Sequence, residues 1–236
     1  MNKLLIAVYS SIPELLAGKH HHIRSTWGRD FLGKAAVMFF VGDPFQDYGR
    51  TFINRVKDEV HLPGIKDTQD ATALKVRGIC KWMLGKMFDY MFLVSVDNQV
   101  NAKALLNTKF WDVDYSGNVK LGRVNAGERF PYVDNKHGRY YEAVYPWADA
   151  SSGFSLSREA ASEITEKIPL GEDMDFFIGQ TLGGEIFRGQ LTAKNIDLSG
   201  ISWRGNEMDG NNTNGEDGQT TGFSNTRNRN TDGVIR

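Results

Sequence analysis

The stretch Tyr90-Met91-Phe92-Leu93-Val94-Ser95-Val96-Asp97-Asn98-Gln99-Val100-Asn101 is where this chain first suggests chemistry. An apolar run reads as a buried strand, and a single carboxylate stands where the strand runs out. In an open α/β sheet, ligands bind in the crevice outside the carboxyl ends of the strands. A carboxylate there suits a hard cation, which takes oxygen ligands, and through it a phosphate. The plainer reading is that Asp97 only starts a turn, since Asp and Asn bond their own backbone. His20-His21-His22 is a weaker signal. Adjacent side chains on a helix point in different directions, so the triplet reads as a polar helix face.

The flanking elements alternate. Leu4–Tyr9 is an apolar strand ending at Ser10-Ser11, and Pro13 to Gly28 has helical spacing. Ala35–Val41 is a second strand, closed by Gly42-Asp43-Pro44. Phe52, Ile53, Val56 and Val60 give Tyr48–Val60 a helical period, and Ala71–Phe88 repeats it with Leu74, Ile79, Trp82 and Met83. Strand, helix, strand, helix, strand predicts a mixed, mostly parallel sheet with helices on both faces. Residues 107–157 are punctuated by Gly, Asn, Asp and Pro between short β-like runs, Asn118–Val124 and Arg139–Tyr145. Ser157 reads as an N-cap for a helix over 158–167, and Glu172–Leu182 as another helix. We expect one domain over 1–203 and a polar Gly/Asn-rich tail over 204–236, too poor in apolar residues to bury much surface.

Composition narrows the classes. A length of 236 residues fits one large domain or two small ones, and 40% apolar content supports a sizeable core. A net charge of −1 lends no support to a nucleic-acid partner through overall charge. One cysteine, Cys80, excludes an internal disulfide framework and fits a reducing compartment. No apolar run approaches the ~20 residues of a membrane span. The start, Met1 to Ser11, lacks a small-residue cleavage pattern and reads as strand, not signal peptide.

Several segments match one family in chain order. Leu4 to Ser11 is followed, after a spacer, by Ile23-Arg24-Ser25-Thr26-Trp27-Gly28, which resembles the "IR-x-(S/T)-W-G" signature of the β-1,3-galactosyltransferase and Fringe group of glycosyltransferases. Phe39-Phe40-Val41-Gly42 resembles its second strand. Asp67 to Lys75 resembles "D-(S/T)-x-x-N-L-T-x-K" in keeping Asp67, Thr68, Leu74 and Lys75, and Trp82 follows at the family spacing. Tyr145 to Ser157 runs in register with "Y-P-P-Y-x-S-G-x-G-Y-x-L-S", and Glu172-Asp173-Met174-Asp175-Phe176-Phe177-Ile178-Gly179 looks like the "E-D-V-x-x-G" helix start. Together these span residues 4 to about 182.

The resemblance implies a GT-A fold, a Rossmann-like sheet binding a UDP-sugar, with manganese (or magnesium) and inversion at the anomeric carbon. It divides the domain into a nucleotide-sugar half, 1–106, and an acceptor half, 107–203. The family's "D-D-D" motif falls on Ser95, Val96 and Asp97, so the one surviving acid, Asp97, is the implied metal ligand. No histidine follows His137 to supply the family's second ligand; Asp197 or Asn195 are the substitutes. Arg24 and Lys75 are candidates for neutralising the diphosphate, or else lie on a solvated helix face. The donor site would also include Tyr9, Ser10, Trp27, Asp67, Ser95, Val96 and Gly153, whose turn either lets the sugar approach or is only a turn. Asp173, with the Glu-Asp identity, and Asp175, with the four-residue spacing to Gly179, compete for general base; both are also placed to cap a helix.

Cellular eukaryotic relatives carry a membrane anchor and disulfides, and neither shows here. That implies a bacterial, phage or viral enzyme in the bacterial or infected-host cytoplasm, with no membrane and no obligate protein partner. The acceptor classes are a glycan, a lipid-linked sugar, or a hydroxymethylated base in phage DNA, toward which Lys120, Arg123, Arg129, Lys136 and Arg139 are a basic run. The rival class is a catalytically degenerate module of the same fold that binds a glycan or nucleotide.

Overall fold

Strand β1, Leu4–Tyr9, lies at the middle of the sheet and is buried from both sides. Leu5 and Ala7 enter one apolar core and Leu4, Ile6 and Val8 the other. Period-two alternation therefore feeds two cores, and every position must be apolar. The computed structural model describes residues 3–44, 57–68, 71–120, 147–167, 174–204 and 234–235.

Parallel to β1 run β2, Ala36–Asp43, on one side and β4, Tyr90–Ser95, on the other. Beyond β2 lies β3, Glu59–Pro63, also parallel. Beyond β4 come β9, Phe154–Ser157, antiparallel, then β6, Tyr115–Gly117, and β10, Ala193–Asn195. Val234–Ile235, strand β12, closes the far edge antiparallel to β10. Among the described residues this is an eight-stranded, mostly parallel sheet. Two small two-stranded pairs flank it: β5, Asn98–Val100, with β11, Ser202–Arg204, and β7, Val119–Lys120, with β8, Trp147–Ala148.

One face is covered by α3, Thr72–Leu84, α5, Arg158–Glu166, and α6, Met174–Phe187. Val76, Ile79, Cys80 and Met83 form the buried stripe of α3 at helical spacing. Ser157 caps α5 as expected, its Oγ accepting from Ala160 N at 3.1 Å. The other face is covered by α2, Lys19–Ser25, by the 3-10 turn Trp27–Phe31, and by α4, Ala102–Asn107. A short α1, Ile12–Leu16, precedes α2. The fold is thus a Rossmann-like α/β sheet with helices on both faces, as the alternation of elements predicts. Among the described residues no helix is long and apolar enough to cross a membrane.

Two expectations need correction. The helix expected over 48–60 lies outside the described residues up to 56, and Val60 belongs to strand β3. Val60 and Leu62 face the first core, while Glu59 and His61 alternate with them and are buried too. The period is two, masked because the polar partners are inside: His61 Nδ1 lies 3.4 Å from Asp43. His20 is not on a solvated face; it is 1% exposed and stacks on Phe39 at 4.4 Å between ring centres. Of the β-like runs, Val119–Lys120 is strand, and residues 121–146 lie outside the described part.

Gly153 shows how tightly β9 is delivered to β4. Its φ is +87°, and a Cβ there would lie 2.7 Å from Leu93 O and 2.9 Å from the Phe92 ring. The vacant side is filled by the chain itself. Gly153→Ala should therefore cost at least roughly 1–3 kcal/mol from backbone strain alone, read as a lowered urea midpoint with an unchanged m-value.

Candidate functional site

The strand order reverses between β1 and β4: the chain runs from β1 outward to β2 and β3, then returns through α3 to β4. Such a switch point opens a crevice at the carboxyl ends of the strands. A cleft of about 730 Å³ lies there, lined from β1 by Tyr9 and Ser10 and from β4 by Ser95 and Asp97. Ser11, Glu14, Asp67, Thr68, Thr72 and Lys75 line one wall. Asp149, Ala150, Ser151, Met174, Asp175 and Arg204 line the other.

Strand geometry explains the arrangement at β4. Val96 N donates to Tyr9 O at 3.0 Å, carrying the parallel ladder one residue past Ser95. The Val96 side chain packs into the second core and is 5% exposed. Ser95 and Asp97, one position to either side, line the cleft instead. Asp97 is half exposed, and its Oδ1 accepts from Lys19 Nζ at 2.5 Å. Lys19 also reaches Glu14 at 3.2 Å, so it bridges two acids at the mouth, and the Asp97 hydrogen bond holds its ammonium above the usual range.

The wall from β1 to α3 hangs on Asp67. Its carboxylate accepts from Lys75 Nζ at 2.7 Å, from Gly42 N at 3.0 Å and from Ile12 N. Lys75 Nζ also donates to Ser10 O at 2.9 Å. The pair is nearly buried, its side chains 6% and 11% exposed. It joins the ends of β1 and β2 to the starts of α1 and α3.

On the opposite wall, two acids hold one turn. Asp149 Oδ1 accepts from Ser151 N at 2.9 Å, and Asp175 Oδ2 accepts from Ala150 N at 3.2 Å. Buried Asn98 donates to Ser151 O at 2.8 Å and to Ser202 Oγ at 3.1 Å, tying that turn to β5 and β11. Arg204 pairs in register with Asn98, the residue after Asp97, and so comes to the cleft. Burial pushes the Tyr9 phenol up to about 12; a hydrogen bond with Ser95 and the charge of Arg204 oppose the rise, and Asp175 and Asp97 add to it. The phenol is therefore a proton donor at neutral pH.

Of the residues expected from sequence, Tyr9, Ser10, Asp67, Lys75, Ser95, Asp97 and Asp175 meet around this cleft. Asp173 lies outside the described residues. Arg24 is elsewhere: its guanidinium binds Asp58 at 2.8 and 2.9 Å and Glu59 at 2.6 Å, and it lies 4.8 Å from the Phe39 ring centre. Trp27 packs edge-on to Phe31 in the second core, beside a separate cavity of about 530 Å³. Val96 packs into the second core and Gly153 against β4, and neither lines the cleft. Lys19 and Arg204 escaped the sequence reading: Lys19 adjoins the histidine triplet, and Arg204 opens the polar tail. Asp197 accepts from Ser199 N at 2.9 Å and Asn195 Oδ1 from Val119 N at 3.0 Å; neither lines the cleft.

The described residues do not fit a protein-held dication. They contain no group of three or more His, Cys, Asp or Glu able to hold a metal, and Asp97, the carboxylate that lines the cleft beyond β4, bonds Lys19. A hard cation takes six to eight oxygen ligands, and its affinity follows the number of charged ones.

Behind the cleft, Ser10 Oγ lies 2.8 Å from His20 Nε2, and His20 Nδ1 lies 3.3 Å from Glu59. Arg24 donates to the same Glu59 oxygen, Oε1, at 2.6 Å. Ser10 also meets Glu14 at 3.3 Å, so the chain of contacts runs from the buried network to the cleft wall.

These features define a Rossmann-like α/β protein with a polar cleft at its switch point. No protein-family model matches the chain, and no curated protein matches it. Among solved structures, a CMP:2-keto-3-deoxy-manno-octonic acid synthetase in complex with CTP is similar over 86% of this chain and 88% of that one. The identity is 12% and the TM-score 0.45, a likeness that says nothing of this chain's activity.

Two outcomes follow from these contacts. Removing one partner of a nearly buried ion pair strands the other, so Lys75→Met should cost about 3–5 kcal/mol, measured by urea denaturation. Burial lowers the His20 pKa from its ordinary 6.5, against the pull of Glu59. The unfolded chain then binds the proton more readily, so His20 stabilises the fold fully above about 6.5 and loses that contribution as pH falls below it. The urea midpoint should drop further between pH 7.5 and 5.5 for the wild type than for His20→Gln.

Proposed function

We propose that this protein is an inverting glycosyltransferase of GT-A type that moves a sugar from a UDP-sugar to an acceptor hydroxyl. The observation that carries the reading is the cleft itself, at the β1–β4 switch point, with Asp97 at one wall and Asp175 at the other. The motif order from Ile23-Arg24 to Tyr145-Pro146 supports the same assignment. In this reaction the acceptor oxygen bonds to the anomeric carbon as the carbon–oxygen bond to UDP breaks. The bonding pair leaves on the β-phosphate, and the acceptor proton passes to a carboxylate.

Asp175 suits the base. It is partly buried on the first turn of α6, is oriented by Ala150 N, and lies across the cleft from the strand ends that would hold the donor. Asp173 remains the other candidate on the same segment. Tyr9 is a neutral donor beside both walls. The Asp67–Lys75 pair shapes the diphosphate side without offering a free charge. A glycan, a lipid-linked sugar and a hydroxymethylated DNA base remain the acceptor classes, in a bacterial or infected-host cytoplasm. Lys120 side-chain contacts and the rest of the basic run lie outside the described residues.

A second reading, a degenerate nucleotide- or glycan-binding module, is favoured by the Lys19–Asp97 ion pair, which occupies the surviving motif acid. The two readings separate in a panel of UDP-sugars offered with simple saccharides and with hydroxymethylated DNA, scored by mass spectrometry. Transfer of a sugar supports the enzyme; UDP binding without transfer or donor hydrolysis supports the module. Asp175→Asn should lower turnover by about 10²–10⁴-fold, the usual contribution of a general base, while calorimetry finds UDP affinity unchanged. Normal turnover in that variant removes Asp175 from the role.

A further inference from the structure

We infer that Arg204, assisted by Lys19, supplies the positive charge at the leaving diphosphate, in the place where the resembled family uses a metal ion. The inference rests on the nucleotide-sugar reading above and assigns the group that handles its anion.

The cleft is short of available cations. It is lined by five carboxylates, Glu14, Asp67, Asp97, Asp149 and Asp175, against Lys75 and Arg204. A diphosphate entering it needs a cation that is not already committed. Lys75 is committed: it is nearly buried, bonded to Asp67 at 2.7 Å and to Ser10 O at 2.9 Å. Moving it would strand a buried carboxylate. Arg204 makes no ion pair among the described residues. Its backbone is fixed by the β5–β11 ladder, with Ser202 paired to Val100 and Arg204 to Asn98. An exposed arginine on a convex surface needs no partner, but this one lines the wall of a concave site. It also lies close enough to Tyr9 to oppose the rise in the phenol pKa. Its fork of N–H donors matches two phosphate oxygens at once.

Lys19 is the second, movable charge. Its pair with Asp97 is exposed, with side chains 40% and 48% accessible, and exposed ion pairs are worth little. Its ammonium can turn from Asp97 to a phosphate without stranding a buried group. A dication at Asp97 would gain a single carboxylate among groups able to ligate it together, since the described residues hold no cluster of three or more such side chains. As the anomeric carbon–oxygen bond breaks, the bonding pair settles on the β-phosphate, and N–H groups already in place stabilise it without reorganisation.

The experiment is calorimetric titration of UDP and of uridine into wild type, Arg204→Gln, Arg204→Lys and Lys19→Gln, each in EDTA and in Mn²⁺, with thermal melts to verify folding. UDP affinity of the wild type should agree within about twofold in EDTA and Mn²⁺. Arg204→Gln should weaken UDP about 10- to 100-fold, as loss of hydrogen bonds to a charged group does, and leave uridine unchanged. Arg204→Lys should fall between, keeping charge but losing the fork, and Lys19→Gln should weaken UDP less than Arg204→Gln. UDP binding that disappears in EDTA, with Arg204→Gln like wild type in Mn²⁺, overturns the inference and leaves the nucleotide-sugar reading standing. A folded wild type that binds UDP in neither condition overturns that reading and the inference with it.

Discussion

The Asp67–Lys75 ion pair is the constraint on which the cleft depends. Four elements meet at it: β1 through Ser10 O, β2 through Gly42 N, α1 through Ile12 N, and α3 through Lys75 itself. The close packing at Gly42 serves the same contact, since a Cβ there would lie 2.7 Å from Ile65 O and 2.8 Å from Lys66 O. The loop that carries Asp67 therefore lies directly across the end of β2. A nearly buried pair of this kind adds little net stability beyond what apolar residues could offer, but it is costly to half-remove. It fixes where the strand ends stop and so where a ligand can lie.

A second polar network stands behind the first. Ser10, His20, Glu59 and Arg24 run in hydrogen-bond contact from the cleft wall to the outer edge near Asp58. Arg24 and Glu59 are thereby structural partners of β3, and the Arg24 charge is used inside that network. The two networks explain how a sheet with both faces buried tolerates so many charged groups near its ends. Each has a partner of opposite sign or a backbone donor. Arg204 is the cleft charge that departs from this pattern among the described residues, and it projects from a small strand pair, not from the main sheet.

The main sheet and the site differ in how their residues are held. The strands β1, β2 and β4 present their last residues by ladder geometry, as the contrast between Val96 and its neighbours shows. The opposite wall is a turn, Ala150–Ser152, in which Asp175 accepts from Ala150 N and Asp149 from Ser151 N. A rigid ladder thus faces a clamped turn, and Asn98 ties the two sides together through Ser151 O.

Much of the fold is legible in the sequence because burial on both faces writes a simple signal. Continuous apolar runs mark β1, β2 and β4, and Ser157 marks the start of α5. Of the seven expected residues that meet at the cleft, Tyr9, Ser10, Ser95 and Asp97 sit where those strands end, while Asp67, Lys75 and Asp175 are expected only from the motif resemblance. What sequence alone misassigns are polar residues whose partners are remote. Glu59 and His61 hide a strand because their partners come from α2 and β2. His20 resembles a surface histidine until Ser10 and Glu59 enclose it, and Arg24 resembles a ligand-binding arginine until Asp58 takes it. Lys19 and Arg204 reach the cleft only through tertiary pairing, Lys19 across 78 residues to Asp97 and Arg204 through the β5–β11 register. The apolar pattern is a property of each segment and can be read in place. The location and partners of a charge depend on which segments meet, and that is decided only when the chain folds.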